Sequence, residues 1–180
     1  MKKEIRAKIN DADRVVERLI DEAGADEVDV VEQKDTYFGS IMLYEKLDRS
    51  FLVRVREEDS RVMINYKSEV EDGIWDEHET IINSPEEAKE IFDGMGLEQV
   101  LVVEKTRRSF TYEGMHIHVD SISDLGDFIE VKMNPEEHTE EEVYTLLETV
   151  GVSKDQLREE GYVSELLKRK ESEYAPWCST

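Results

Sequence analysis

Along much of this chain, charged and aliphatic side chains alternate with period two, and that alternation limits what the chain can fold into. In the first such segment Glu4, Arg6 and Lys8 point one way while Ile5, Ala7 and Ile9 point the other. A helix would mix these two sets on its surface, whereas a strand separates them cleanly. The pattern recurs. Arg54 and Arg56 oppose Val53 and Val55, and Lys67 shares a face with Asn65 and Met63, opposite Val62, Ile64 and Tyr66. Lys105 and Arg107 lie with Val103, Glu130 and Lys132 oppose Ile129, Val131 and Met133, and Glu77 and Glu79 form one more same-face pair. Strands are therefore expected at Lys3–Ile9, Val28–Phe38, Phe51–Glu57, Arg61–Ser68, Gly73–Ile82, Gln99–Arg108, Met115–Ile122 and Asp127–Met133. Tight turns such as Glu57-Glu58-Asp59-Ser60 and Glu113-Gly114 make antiparallel hairpins the natural connection.

Helix signals occupy the remaining segments. Asp11–Gly24 places Val15, Val16, Leu19, Ile20 and Ala23 on one stripe and stops at a glycine. Ser84-Pro85-Glu86-Glu87 combines an N-cap, a first-position proline and a capping glutamate. Thr139–Gly151 repeats that design with Thr139 and Glu142, and Ser153–Lys170 reads as a further helix opened by Ser153 and Gln156, with Gly161 weakening its middle. The expected class is α+β, an eight-stranded antiparallel barrel with flanking helices. A length of 180 residues suits one domain over 1–180. Its C-terminal helices, within 139–170, would pack on the barrel, with a frayed, mobile tail around Ala175–Thr180. No internal repeat or low-complexity linker interrupts it.

Charge narrows the partners. The chain has 45 Asp and Glu against 23 Lys and Arg, a formal net charge of -22, which opposes nucleic-acid binding over a broad surface. A single cysteine, Cys178, excludes an internal disulfide or a cysteine-cluster zinc site. No apolar run approaches a membrane span and the first ten residues lack a signal-peptide core, so a cytoplasmic protein without membrane partners is expected. Yet Arg54, Arg56, Lys67, Lys105 and Arg107 recur at matching alternate positions. Each polar face taken singly reads as the wet side of a half-buried sheet. Taken together, a closed sheet would gather these cations and a few carboxylates inside. Unpaired charge is too costly for a dry core, so such an interior would be a watery tunnel holding an anion. Triphosphate suits it: Arg and Lys take the oxygens, and carboxylates can hold a bridging divalent metal.

The order of these fragments resembles the CYTH superfamily, which takes its name from class IV (CyaB-type) adenylyl cyclases and thiamine triphosphatases. Glu4-Ile5-Arg6-Ala7-Lys8 is similar to the family's opening Glu-x-Glu-x-Lys strand, and Gln33-Lys34-Asp35-Thr36-Tyr37-Phe38 to its Gln-x-Asp-x-Tyr-Phe stretch. Leu52-Val53-Arg54-Val55-Arg56, Tyr66-Lys67, Glu77-His78-Glu79 and Lys105-Thr106-Arg107-Arg108 resemble its inner strands. His118-Val119-Asp120 with Leu125-Gly126-Asp127-Phe128-Ile129-Glu130-Val131-Lys132 is similar to its closing motif. Gly161-Tyr162-Val163-Ser164-Glu165-Leu166-Leu167 resembles the late helix of CyaB-type members. The resemblance implies that Lys8, Arg54, Arg56, Lys67, Lys105 and Arg107 contact phosphates, with Lys8 and Lys105 the candidate catalytic lysines. It further implies a Mg²⁺ or Mn²⁺ group of Glu4, Asp120 and Glu130, with Glu77 and Glu79 as further tunnel acids. Partners would be ATP, thiamine triphosphate or tripolyphosphate, and a homodimer stays open.

Two positions depart from the pattern. Arg6 and Lys132 stand where the motifs carry glutamates, so two carboxylates have become cations in the expected metal region. That weakens metal attraction, and a cation supplies neither octahedral templating nor water activation. Three functions follow: a cyclase converting ATP to cyclic AMP and pyrophosphate, a hydrolase of thiamine triphosphate or tripolyphosphate, and a triphosphate binder of reduced catalysis. The late helix favours the first. Elsewhere, His116, His118 and Asp120 have the spacing of a metal strand but read more simply as polar residues bordering the tunnel. Cys178 reads as a bystander thiol. Trp75 and Tyr112 could stack on a base or thiazole, or pack at a rim, and acidic Asn134–Glu142 reads as a solvated helix entry.

Overall fold

The computed structural model describes residues 3–47, 51–71 and 74–177. In chain order its elements are β1 (Lys3–Ile9), α1 (Ala12–Arg18), β2 (Asp26–Gly39), α2 (Ile41–Leu47), β3 (Phe51–Glu58), β4 (Arg61–Glu71), β5 (Ile74–Ile82), α3 (Pro85–Gly94), β6 (Glu98–Tyr112), β7 (Met115–Ile122), β8 (Gly126–Met133), α4 (Glu140–Thr149), β9 (Leu157–Arg158) and α5 (Tyr162–Arg169). The fold is α+β. Its strands form one antiparallel sheet in the order β5-β4-β3-β2-β6-β7-β8-β1-β9. Eight of them are the strands that the alternation predicts, and the ninth is a two-residue addition on the edge of β1, through Arg6↔Arg158 and Ala7↔Leu157. Among the described residues no helix is long and apolar enough to cross a membrane.

The helix starts follow local chemistry. Asp11 accepts from the Arg14 amide at 3.0 Å, Ser84 Oγ from the Glu87 amide at 3.1 Å, and Thr139 with Glu142 closes a reciprocal capping box. The expected helix over 11–24 is α-helical to Arg18 and π-helical over Leu19–Ala23. It ends where Gly24 turns left-handed at φ +77, a conformation that favours glycine.

One expected helix, over 153–170, is three pieces: a 3-10 turn, a short strand and a helix. Ser153 and Gln156 do cap each other, but they open only a 3-10 turn over Lys154–Gln156. Gln156 then donates to the Lys8 carbonyl at 2.9 Å, and Leu157–Arg158 pair with β1. A separate helix, α5, begins after its N-cap Gly161. The short helix α2 has no counterpart in the sequence reading. Its first turn is held by the Ser40 carbonyl, which accepts from the Leu43 and Tyr44 amides at 3.0 and 3.1 Å.

The chain divides into two compact units. In the unit of Met1–Glu32 with Lys105–Glu159, the core is the aliphatic face that the alternation predicts. Ile5, Ala7, Ile117, Val119, Ile129 and Val131 pack with Val15, Val16 and Leu19 of the first helix and with Val143, Leu146 and Leu147 of α4. Each Val, Leu or Ile among them stabilises the fold by about 1.5–3 kcal/mol on full burial. In the unit of Gln33–Glu104 with Glu160–Thr180, aromatic rings do more of the packing: Phe38 meets Phe92 edge-on at 5.1 Å, and Tyr44 lies against Phe51 at 4.4 Å. Val163, Leu166 and Leu167 are the buried apolar face of α5. Cys178 and the Trp75 side chain lie outside the described residues.

Candidate functional site

Strand register decides which of the candidate residues meet. In the first unit, β1 pairs with β8 so that Glu4 faces Lys132, Arg6 faces Glu130 and Lys8 faces Phe128. The β7–β8 and β6–β7 registers extend these rows: His118 lies across from Glu130 and Asp120 from Phe128, while Arg107 lies across from Asp120. Because β1, β7 and β8 bury their aliphatic sides, all of these residues share the other face.

Their charges are densely paired. Arg6 donates to Glu130 Oε2 from its Nε at 3.2 Å and from a terminal nitrogen at 2.8 Å, and it lies 3.7 Å from Glu4. Lys132 Nζ lies 2.9 Å from Glu4 Oε1 and 3.4 Å from Glu130 Oε1. Arg107 grips Asp120 with two bonds of 2.6 Å, and the buried Lys105 ammonium reaches the same carboxylate at 3.4 Å. Lys8 stands over the Phe128 ring with its ammonium 5.5 Å from the centroid, a cation–π contact.

Burial alone would raise the Glu130 carboxyl, but Arg6, Lys132 and Arg107 outweigh it and hold Glu130 well below the usual range. Asp120 is depressed the same way, with Lys105 and Arg107 overcoming its burial. Lys132 is raised because Glu130 and Glu4 outweigh its desolvation. His118 is pushed down to about 3 by burial first and by Arg107 next, so its ring is neutral at physiological pH. His118 lies 3.3 Å from Ser109 Oγ.

The second unit holds a separate arrangement. Asp35 on β2 faces Arg56, and Tyr37 faces Arg54. Asp35 is fully buried and accepts two bonds of 2.7 Å from Arg56 and one of 3.2 Å from Arg54. Arg54 also donates to the Tyr37 hydroxyl at 3.3 Å, which lies 3.4 Å from the Tyr162 hydroxyl. Burial first, then Tyr162 and Asp35, raise Tyr37 well above its ordinary value, so it stays a hydrogen-bond donor. Arg54 Nε is buried with no acceptor among the described residues. An unsatisfied charged donor costs free energy, and a bound anion would relieve it.

Lys67 pairs with Glu77 at 3.4 Å, and the Asn65 amide bridges Glu77 and Glu79 with two bonds of 3.1 Å. Glu77 is lowered, since Lys67 and the Asn65 bond outweigh its desolvation.

Asp35, Tyr37, Asn65 and Tyr162 were absent from the sequence-level set of candidates. The signal existed for three of them: once β2, β3 and β4 are aligned as hairpins, Asp35, Tyr37 and Asn65 fall in the rows of Arg54 and Arg56. Tyr162 comes from a distant helix, outside these strand rows, and its signal is the late-helix motif around Gly161 to Leu167. Tyr112 is partly buried against the first unit's core.

The acids named for a metal do not fit a divalent cation. Every one of the six carboxylate oxygens of Glu4, Asp120 and Glu130 faces an Arg or Lys nitrogen, at 2.6–3.7 Å. Among the described residues no group of three or more His, Cys, Asp or Glu is placed to hold a metal ion. His116 is exposed and Asp120 is committed to Arg107, which leaves the His-x-His-x-Asp spacing without a common focus.

Known proteins with this architecture are found by both sequence and structure. A curated relative, the "Putative adenylate cyclase" of Methanocaldococcus jannaschii, is 29% identical over 173 residues, covering 89% of this chain and 95% of its own length. The PH1012 protein of Pyrococcus horikoshii superposes with a TM-score of 0.75 at 23% identity, over 91% of this chain and 98% of that one. A Hippeastrum protein, described as a "putative adenylyl cyclase" with a dominant triphosphatase activity, gives 0.66 at 15% identity, over 96% and 97%. At those identities the two structures speak for the fold. The CYTH domain pattern matches residues 1–162, and the chain belongs to the CYTH domain family.

Proposed function

We propose that this chain binds a nucleotide or organic triphosphate and acts as a class IV adenylyl cyclase-like enzyme, converting ATP to cyclic AMP and pyrophosphate. The carrying observation is the concentration of buried or half-buried cations on polar strand faces of a protein whose net charge is -22. Lys8, Arg54, Arg56, Lys67, Lys105 and Arg107 are the proposed phosphate contacts. Such groups stabilise charge that builds up on phosphoryl oxygens in a transition state. In the cyclase reaction the ribose 3′-oxygen bonds to the α-phosphorus as the bond to the bridging oxygen breaks, and pyrophosphate leaves. The M. jannaschii relative supports this choice among triphosphate reactions.

The paired state of Glu4, Asp120 and Glu130 favours a second reading, a triphosphate binder of low turnover. Incubation with ATP, thiamine triphosphate and tripolyphosphate, each with Mg²⁺ or Mn²⁺, separates the two. Cyclic AMP supports the cyclase, and phosphate released without cyclic nucleotide replaces it by a hydrolase. Binding without product supports the binder. Calorimetry with tripolyphosphate should give micromolar or tighter affinity, and Arg56→Ala and Lys105→Ala should each weaken it by roughly 1–3 kcal/mol, the range for a lost charge-assisted contact. Unchanged affinity in both variants would remove them from the site.

A further inference from the structure

The polar face of the first unit has its own charge balance. Arg6, Lys105, Arg107 and Lys132 pair with the carboxylates of Glu4, Asp120 and Glu130. Lys8 adds a further cation beside Phe128. Within this named set the cations outnumber the acids. A divalent ion seated on these carboxylates would need their oxygens at about 2.0–2.6 Å, and each oxygen it took already faces a guanidinium or ammonium nitrogen. Metal entry would therefore break ion pairs and place a double positive charge beside the cations released. Arg6 and Lys132 occupy both sides of Glu130, one on each oxygen, which is where an incoming metal would have to bind.

We infer that Arg6 and Lys132 take the place of a divalent cation in this protein, so that it binds the metal-free form of its triphosphate and holds no Mg²⁺ or Mn²⁺ on Glu4, Asp120 and Glu130. The ligand half of this inference rests on the triphosphate reading above; the metal half does not. The physical preference follows from charge. Free tripolyphosphate offers its full anionic charge and oxygens not coordinated to metal to fixed donors, whereas its Mg²⁺ complex has two charges neutralised and some oxygens already occupied. The fixed Arg and Lys donors then favour the free anion.

Calorimetry on the full chain would compare tripolyphosphate in EDTA with tripolyphosphate in excess Mg²⁺. Affinity in EDTA should exceed that in Mg²⁺ by about fivefold or more. Binding at least tenfold tighter with Mg²⁺ overturns the inference and leaves the triphosphate reading standing. No binding under either condition overturns both.

A Mn²⁺ titration followed by electron paramagnetic resonance, without phosphate and at 150 mM salt, tests the metal half alone. Wild type should show no stoichiometric site tighter than about 1 mM. The double variant Arg6→Glu, Lys132→Glu should gain one and lose at least tenfold in metal-free tripolyphosphate affinity. A tight Mn²⁺ site in the wild type overturns the inference. Should the double variant fail to fold by circular dichroism, Arg6→Gln serves: it keeps the size and removes one cation. It should still weaken binding in EDTA severalfold, and unchanged affinity would count against the inference.

Discussion

Glu130 and His118 face each other across two strands and illustrate how neighbours decide protonation. Both are buried in large part, and burial opposes the charged form of each. Glu130 stays ionised because Arg6 and Lys132 lie on its two oxygens, while His118 has Arg107 as its next largest influence and stays neutral. The consequence for stability has a definite sign. Below pH 6.5 an unfolded chain protonates this histidine, whereas the folded protein does so only near pH 3. Stability is therefore highest above pH 6.5 and falls as pH drops toward 3, by up to about 1.4 kcal/mol per pH unit from this group. Urea unfolding at pH 7, 6 and 5 should show that slope, and His118→Asn should flatten it. Equal slopes in both proteins would mean that the ring titrates normally.

At the scale of single elements, packing is close where β2 hands over to α2. A Cβ on Gly39 would sit 2.6 Å from the Tyr44 hydroxyl and 3.1–3.2 Å from the Tyr174 ring, and both tyrosines are buried. Gly39→Ala should therefore cost roughly 1–3 kcal/mol, the usual penalty of overpacking, read as a lowered urea midpoint at unchanged slope. A neutral result would show that the tyrosines move aside freely. The elements also differ in how legible they were. α3 and α4 announce themselves because Ser84 and Thr139 satisfy amides only three residues away. The segment after Ser153 carries the same kind of signal, yet its helix stops after one turn because Leu157–Arg158 find a partner in β1. Propensity within a short window competes there with pairing to a strand about 150 residues away, and the pairing wins.

For the molecule as a whole, charge acts on two length scales. The net -22 repels polyanions at a distance, but at 0.1 M salt charges more than ~10 Å away are largely screened. A small anion that reaches the cations at hydrogen-bonding range feels mainly its nearest charges. An extended polyanion must also lie against the acidic exterior. Random-sequence duplex DNA should accordingly show no binding in fluorescence anisotropy at 150 mM salt, under conditions where tripolyphosphate binds. Micromolar duplex binding would contradict this picture of the surface.

What the sequence determined by itself is what short-range chemistry controls. Period-two alternation assigns each strand and its buried face, caps set the helix starts, and the order of motifs carries the family. Residue types and strand phase likewise put the candidate cations on polar strand faces. Tertiary structure alone decided which charge meets which. Arg6 reaches Glu130 and Lys132 reaches Glu4, while Arg107 claims Asp120 and Asp35 joins Arg54 to Arg56. Arg6 and Glu130 are 124 residues apart in the chain, and their meeting depends on the register of β1 against β8. That register is set by packing of the opposite, aliphatic face, a collective property that no local pattern encodes. Thus the same carboxylates that looked like metal ligands in sequence are, once folded, partners of fixed cations.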